Sequence, residues 1–169
     1  MKQKLVFSLL SLLSITAHAE CSINTYVAAN VNKPFLAHGT LNVPGTSLTN
    51  QRYEAICEKL RKANARVHIQ GMATVLSNRS IGWAILGLKD RDTEIGTSDY
   101  GNAYTAVHEH ASQDVADQRM VFAINEALGT WTELNQAIAR LDEVRNIAKA
   151  RPVNRTGRPS LSTGARPAP

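Results

Sequence analysis

The stretch that decides the fold is "RVHIQGMATVLSNRSIGWAILGLK", Arg66 to Lys89. Its first half alternates: Val67, Ile69, Gly71, Ala73 and Val75 fall on one side, and Arg66, His68, Gln70, Met72 and Thr74 on the other. Successive side chains of a strand point to opposite faces, so strict period two over this length predicts a strand with one face buried. Ser77-Asn78-Arg79-Ser80 supplies turn residues, and Ile81 to Lys89 reads as the returning strand, with Trp83 as its large side chain. The segment is predicted to be a β-hairpin over 66–89. Gly71, Gly82 and Gly87 lie inside its strands, where glycine marks a bulge or the close approach of another backbone.

Helical spacing flanks the hairpin. Tyr53, Ile56, Cys57 and Leu60 share one face of a helix over about 49–63, which Ser47 or Thr49 can cap. A short third strand is expected near 93–97. Ser112 then caps a helix over 113–128 that is apolar around much of its circumference, with Gly129 expected at its C′ position. Thr130 and Glu133 fit a capping box for a last helix over 131–149, whose stripe is Leu134, Ala137, Ile138, Leu141, Val144 and Ala148. The order predicts an α+β domain, a small antiparallel sheet with helices packed on one face. Trp83 and Trp131 are expected in its core. The element order resembles that of the double-stranded-RNA-binding domain. Ser112-Gln113-Asp114 stands where phosphates would need a basic cluster, and no nucleic-acid partner is expected.

Four segments follow from composition: a leader over 1–19, an irregular N-terminal extension over 20–47 with one short strand near Thr25–Val31, the α+β domain over 48–150 and a tail over 151–169. Lys2 and Lys4 precede an apolar run from Leu5 to Leu13, and Ala17-His18-Ala19 offers small residues where a signal peptidase reads them. This is the pattern of a secretory signal cleaved after Ala19. Glu20 before Cys21 argues against lipidation of that cysteine. A secreted or periplasmic protein is expected, with no transmembrane segment after cleavage. The chain's two cysteines, Cys21 and Cys57, are too far apart in sequence for a redox Cys-x-x-Cys pair and read as a structural disulfide.

The net charge of +5 is unevenly placed. Lys2 and Lys4 carry two of these charges and the acid-free tail four, through Arg151, Arg155, Arg158 and Arg166, so the body is close to neutral. The tail is rich in Pro, Gly, Ser and Thr and is expected to be disordered. It reads first as a solvated end, and second as a basic arm able to touch an acidic polymer or anionic surface.

Functional candidates gather between the hairpin and the 113–128 helix. The stretch 96–112 holds Asp99, Tyr100, Tyr104, His108, Glu109 and His110, and long connections in compact domains are commonly functional. His108 and His110 are two apart, which places both on one face of a strand. A metal site needs further ligands, and spacing selects none of His38, His68, Asp99 or Asp114. No Gly-x-Ser-x-Gly elbow or other activated nucleophile is present. No cofactor fingerprint occurs, and no cofactor is expected. The leading expectation is a non-catalytic interaction or accessory protein of the cell envelope, such as a secretion or conjugation component or an inhibitor. Its partner protein would meet the 96–111 stretch, with Tyr100 and Tyr104 as contacts and the histidines at the rim. The alternatives are a small hydrolase, metal-assisted through His108, His110 and a carboxylate, and a carrier of a small apolar ligand.

Overall fold

The computed structural model describes residues 21–38, 41, 43–97, 99 and 101–150. Its elements in chain order are β1 (Thr25–Val27), α1 (Ala29–His38), α2 (Asn50–Lys62), β2 (Ala65–Leu76), β3 (Arg79–Asp90), β4 (Asn102–His108), α3 (Gln113–Gly129) and α4 (Leu134–Ala150). The expected leader and basic tail lie outside the described residues.

The hairpin forms as its alternation requires. β2 and β3 pair antiparallel from Ala65↔Asp90 to Leu76↔Arg79, leaving Ser77 and Asn78 as a two-residue turn. Ser77 takes a positive φ of 51°. The sheet order is β1-β2-β3-β4, with β1 parallel to β2 and β4 antiparallel to β3. Val67 and Ile69 of β2 and Ala84, Leu86 and Leu88 of β3 are buried. They face α3, whose Met120, Ala123, Ile124, Ala127 and Leu128 are buried with them. Leu60 of α2, Val31 of α1 and Leu141 of α4 join the same core. Each large aliphatic side chain so buried contributes about 1.5–3 kcal/mol of hydrophobic free energy. Helices cover one face of the sheet, as predicted, but the sheet is mixed rather than antiparallel, because β1 pairs parallel with β2.

Two glycines inside the hairpin serve close packing. A Cβ on Gly82 would lie 2.0 Å from the Met120 backbone nitrogen, and one on Gly71 would lie 2.5 Å from the Trp83 carbonyl oxygen. Gly82 thus lets α3 rest backbone to backbone on β3. Gly87 is different: its nearest neighbour would be the Asp99 carbonyl oxygen at 3.8 Å.

Polar anchors hold the ends of the helical layer. Thr49 accepts from Arg52 N–H and caps α2. Ser112 accepts from Val115 N–H and caps α3. Buried Glu126 accepts from the Ser47 amide and hydroxyl at 2.7 and 2.8 Å. Cys21 and Cys57 form the expected disulfide, with Cα atoms 5.9 Å apart. It ties the segment before β1 to the buried face of α2.

One charged knot joins three elements at the far end of the sheet. The Asp90 Oδ1 accepts from the amides of Asp92 and Thr93 and from the Thr93 hydroxyl. Its Oδ2 accepts from Arg145 Nε at 2.7 Å. Arg145 also donates to the Asn64 carbonyl and to Asp142. Burial alone would raise the Asp90 pKa, but the bonds from Thr93, Arg145 and Asp92 outweigh it and hold it at about 2.

Several expectations need correction. The 20–47 stretch is not irregular throughout, since α1 occupies Ala29–His38 with Pro34 inside it. Burying Val31 and bonding the Asn30 side chain to the Gly71 carbonyl offset the proline's cost. The extra strand is β4 at 102–108. The 93–97 stretch contributes only the isolated bridge Lys89↔Gly96, because the Asp90 side chain folds residues 91–93 into a turn. Thr130 does not cap the last helix. Its hydroxyl donates back to the Glu126 carbonyl at the end of α3, and α4 begins only at Leu134. Gly129 is the last residue of α3 rather than a left-handed C′ residue. It is needed there because a Cβ would lie 2.4 Å from the Leu48 nitrogen. Trp131 is core, at 1% exposure, but Trp83 is half-buried on the other face of the sheet.

Candidate interaction surface

The second face of the sheet carries no helix among the described residues. In an antiparallel pair, directly opposed residues share a face, so the register sorts the side chains. Trp83 stands between Met72 and Thr105, Ile81 between Thr74 and Val107, and Ile85 between Gln70 and Ala103. Ile81, Trp83 and Ile85 are half-buried by their neighbours. Met72, Leu76 and Val107 are 46%, 56% and 51% exposed. Scattered exposed apolar residues are ordinary; here Met72 neighbours Trp83, and Val107 neighbours Ile81, on one face, which makes that face the candidate surface.

The same face ends in a cationic corner. Arg66 and Lys89 are a directly opposed cross-strand pair. Tyr26 of β1 reaches over from the edge, with the Lys89 Nζ 3.8 Å and the Arg66 guanidinium carbon 5.0 Å from its ring centroid. His68 meets the same ring edge-on at 5.4 Å. Glu94 ion-pairs with Arg66. Like charges directly opposed across a ladder cost stability; here the tyrosine ring and one carboxylate hold them. The His68 pKa is lowered, first by burial and then by the Lys89 and Arg66 charges.

The candidates of the 96–112 stretch are placed apart. Tyr104 points to the helical face, where it packs edge-on against Phe122 at 6.3 Å. His108 lies on that same side of β4, and its Nδ1 accepts from the His110 amide at 3.0 Å. Glu109 and His110 are exposed in the turn that follows. Asp99 lies before the opposite end of β4 and ion-pairs with Arg140 of α4. Seven residues of strand set it on the order of 20 Å from His108. Tyr100 lies outside the described residues. The further metal-ligand candidates also diverge: His38 pairs with Asp114 at 3.3 Å, and His68 is on the open face. Among the described residues, no three His, Cys, Asp or Glu side chains gather as a metal would require.

A cleft of about 810 Å³ opens beside the charged knot, lined by Asn64, Asp90, Thr93, Ile95, Asp142 and Arg145 among others. Asn64, Asp90, Thr93, Asp142 and Arg145 are bonded within the knot, so it reads as the solvent side of a structural joint. Reading the sequence alone did not single out the open face. The signal was present: a two-residue turn at 77–78 opposes Arg66 to Lys89 and Met72 to Trp83 by counting outward.

No family model matches the sequence, and no curated protein sequence matches it. A search of solved structures finds a "putative lipoprotein" from Caulobacter crescentus CB15. It shares 14% identity over 77% of this chain and 93% of its own, with a TM-score of 0.29. A superposition that loose transfers neither fold detail nor role. Among the described residues, no helix is long and apolar enough to cross a membrane.

Proposed function

We propose that this is an exported, non-catalytic interaction protein of the cell envelope, whose partner protein docks on the open face of the sheet. The observation that carries the reading is the apolar row on the uncovered face, built from Met72, Ile81, Trp83, Ile85 and Val107, with Met72 and Val107 exposed. Aromatic and aliphatic anchors surrounded by polar groups are the anatomy of a protein interface. Export is supported by the leader pattern at 1–19 and by a disulfide that persists in oxidising compartments. The β4 edge, with Val107 and the Glu109-His110 turn, forms the rim of this surface in our reading. A partner strand could also extend the sheet there.

The test is affinity capture from envelope extract of the source organism. The baits are the exported chain, a Trp83→Ala/Met72→Ala variant and a Tyr104→Ala/His108→Ala/His110→Ala variant, each checked for a native melt. A partner held by the first bait and lost from the second supports the open face. A partner lost only from the third returns the contact to the 96–111 stretch, and equal capture by all three baits rejects both.

A further inference from the structure

Polar surface clusters are ordinarily mixed in sign. The open face is weighted to cations: it carries Arg66 and Lys89 at one end and Arg79 at the other, and its only described carboxylate contact is Glu94 on Arg66. Arg66 and Lys89 crowd one tyrosine ring although they oppose each other directly. Glu94 and the Tyr26 ring hold the pair, yet one carboxylate against two cations leaves the corner net positive and suited to a further anionic group. We propose that the Tyr26–Arg66–His68–Lys89 corner is a carboxylate-binding site that reads an acidic residue in an extended, otherwise apolar segment of the partner protein. This rests on the open face being the docking surface.

The layout selects that partner. The corner and the Met72–Trp83 row are six residues apart along β2, on the order of 20 Å, a span that an extended peptide of about six residues covers. Thr74 and Thr105 interleave the apolar side chains on this face. Their hydroxyls can meet a peptide backbone, whereas hydrocarbon would leave them unbonded. Arg79 stands at the far apolar end, where insertion into a bilayer would bury a charge. A carboxylate between Arg66 and Lys89 would neutralise the opposed pair through charge-assisted bonds.

The probe is a displayed library of random peptides, selected on the full chain with its disulfide formed. Selected peptides are expected to combine Asp or Glu with aromatic or aliphatic residues. Replacing that acid by its amide, or Lys89→Gln in the protein, each weakens binding about tenfold, and both changes together weaken it little further. Arg66→Gln is the second variant, and thermal melts establish that each protein folds. Peptides held equally by both variants but lost on Trp83→Ala keep the open face and overturn the carboxylate corner. Peptides indifferent to Trp83→Ala overturn both readings, as does the failure to select any peptide. Binding to phosphatidylglycerol vesicles that Lys89→Gln abolishes, with no acidic peptide selected, makes the anion a lipid headgroup and overturns the proposal.

Discussion

Replacing Asp90 by Asn probes the joint that fastens α4 to the sheet. The asparagine can still accept from the Asp92 and Thr93 amides, but it no longer neutralises Arg145, whose side chain is only 14% exposed. Burying a cation without any partner costs about 3–5 kcal/mol in a dry interior, whereas here the exposed Asp142 stays beside Arg145. The adjoining cleft admits water, so about 2–3 kcal/mol is expected here. The pH dependence separates the charge from the shape. Asp90 has a folded pKa of about 2 against an ordinary 3.8. A depressed carboxylate stabilises fully above its unfolded pKa and loses that contribution as pH falls through the folded one. At 1.36 kcal/mol per pH unit this is about 2 kcal/mol, and on the order of 1–2 after screening. Urea unfolding at neutral pH and at steps down to pH 2, with the disulfide intact, measures both. The original protein should lose its advantage over Asp90→Asn between pH 3.8 and about 2. Stability curves that stay parallel through that window, or a neutral-pH loss well under about 1 kcal/mol, would refute the reasoning.

Three further perturbations follow from the packing. Gly82→Ala drives a methyl group into the α3 backbone and should cost about 3 kcal/mol or more, while Gly87→Ala, which meets nothing closer than 3.8 Å, should change the melting temperature little. Replacing Cys21 and Cys57 together by Ala opens a loop spanning 36 residues and should cost about 3–4 kcal/mol in denaturant unfolding. The unfolded, unreduced original should show no titratable thiol from this pair. His68 has a folded pKa below its unfolded 6.5, so the unfolded chain takes up the proton first and stability falls as pH drops below 6.5. His68→Gln should remove that part of the slope, and an unchanged slope would mean that His68 is solvated like a free histidine.

The hairpin and α2 were legible because each rests on one periodicity carried by large side chains, and α3 because its apolar run lies between Ser112 and Gly129. β4 was not. Asn102 to His108 alternates, but among small residues such as Ala103, Thr105 and Ala106, and its pairing is set by the β3 edge. α1 was hidden by Pro34, which reads as a breaker until Val31 is seen to be buried. Trp83 was misplaced for another reason. Both faces of "IGWAILGLK" are apolar, so alternation separates Trp83 from Ala84 and Leu86 but cannot say which set the helices cover. The Asp90–Arg145 joint spans 55 residues, a distance across which no local pattern reaches.

The contact at Gly82 also limits what this molecule can do once something binds. Helix ratchets that relay signals slide one element past another, from one interdigitation of side chains to the next. At Gly82 there are no side chains to re-engage: strand meets helix main chain to main chain, and a shift in either direction would bring the Cβ of Ser80 or Ala84 into the α3 backbone. That contact therefore resists sliding of α3 along β3. A visitor on the open side would find its shape already set, and any folding or reordering that accompanies recognition would fall to the visitor.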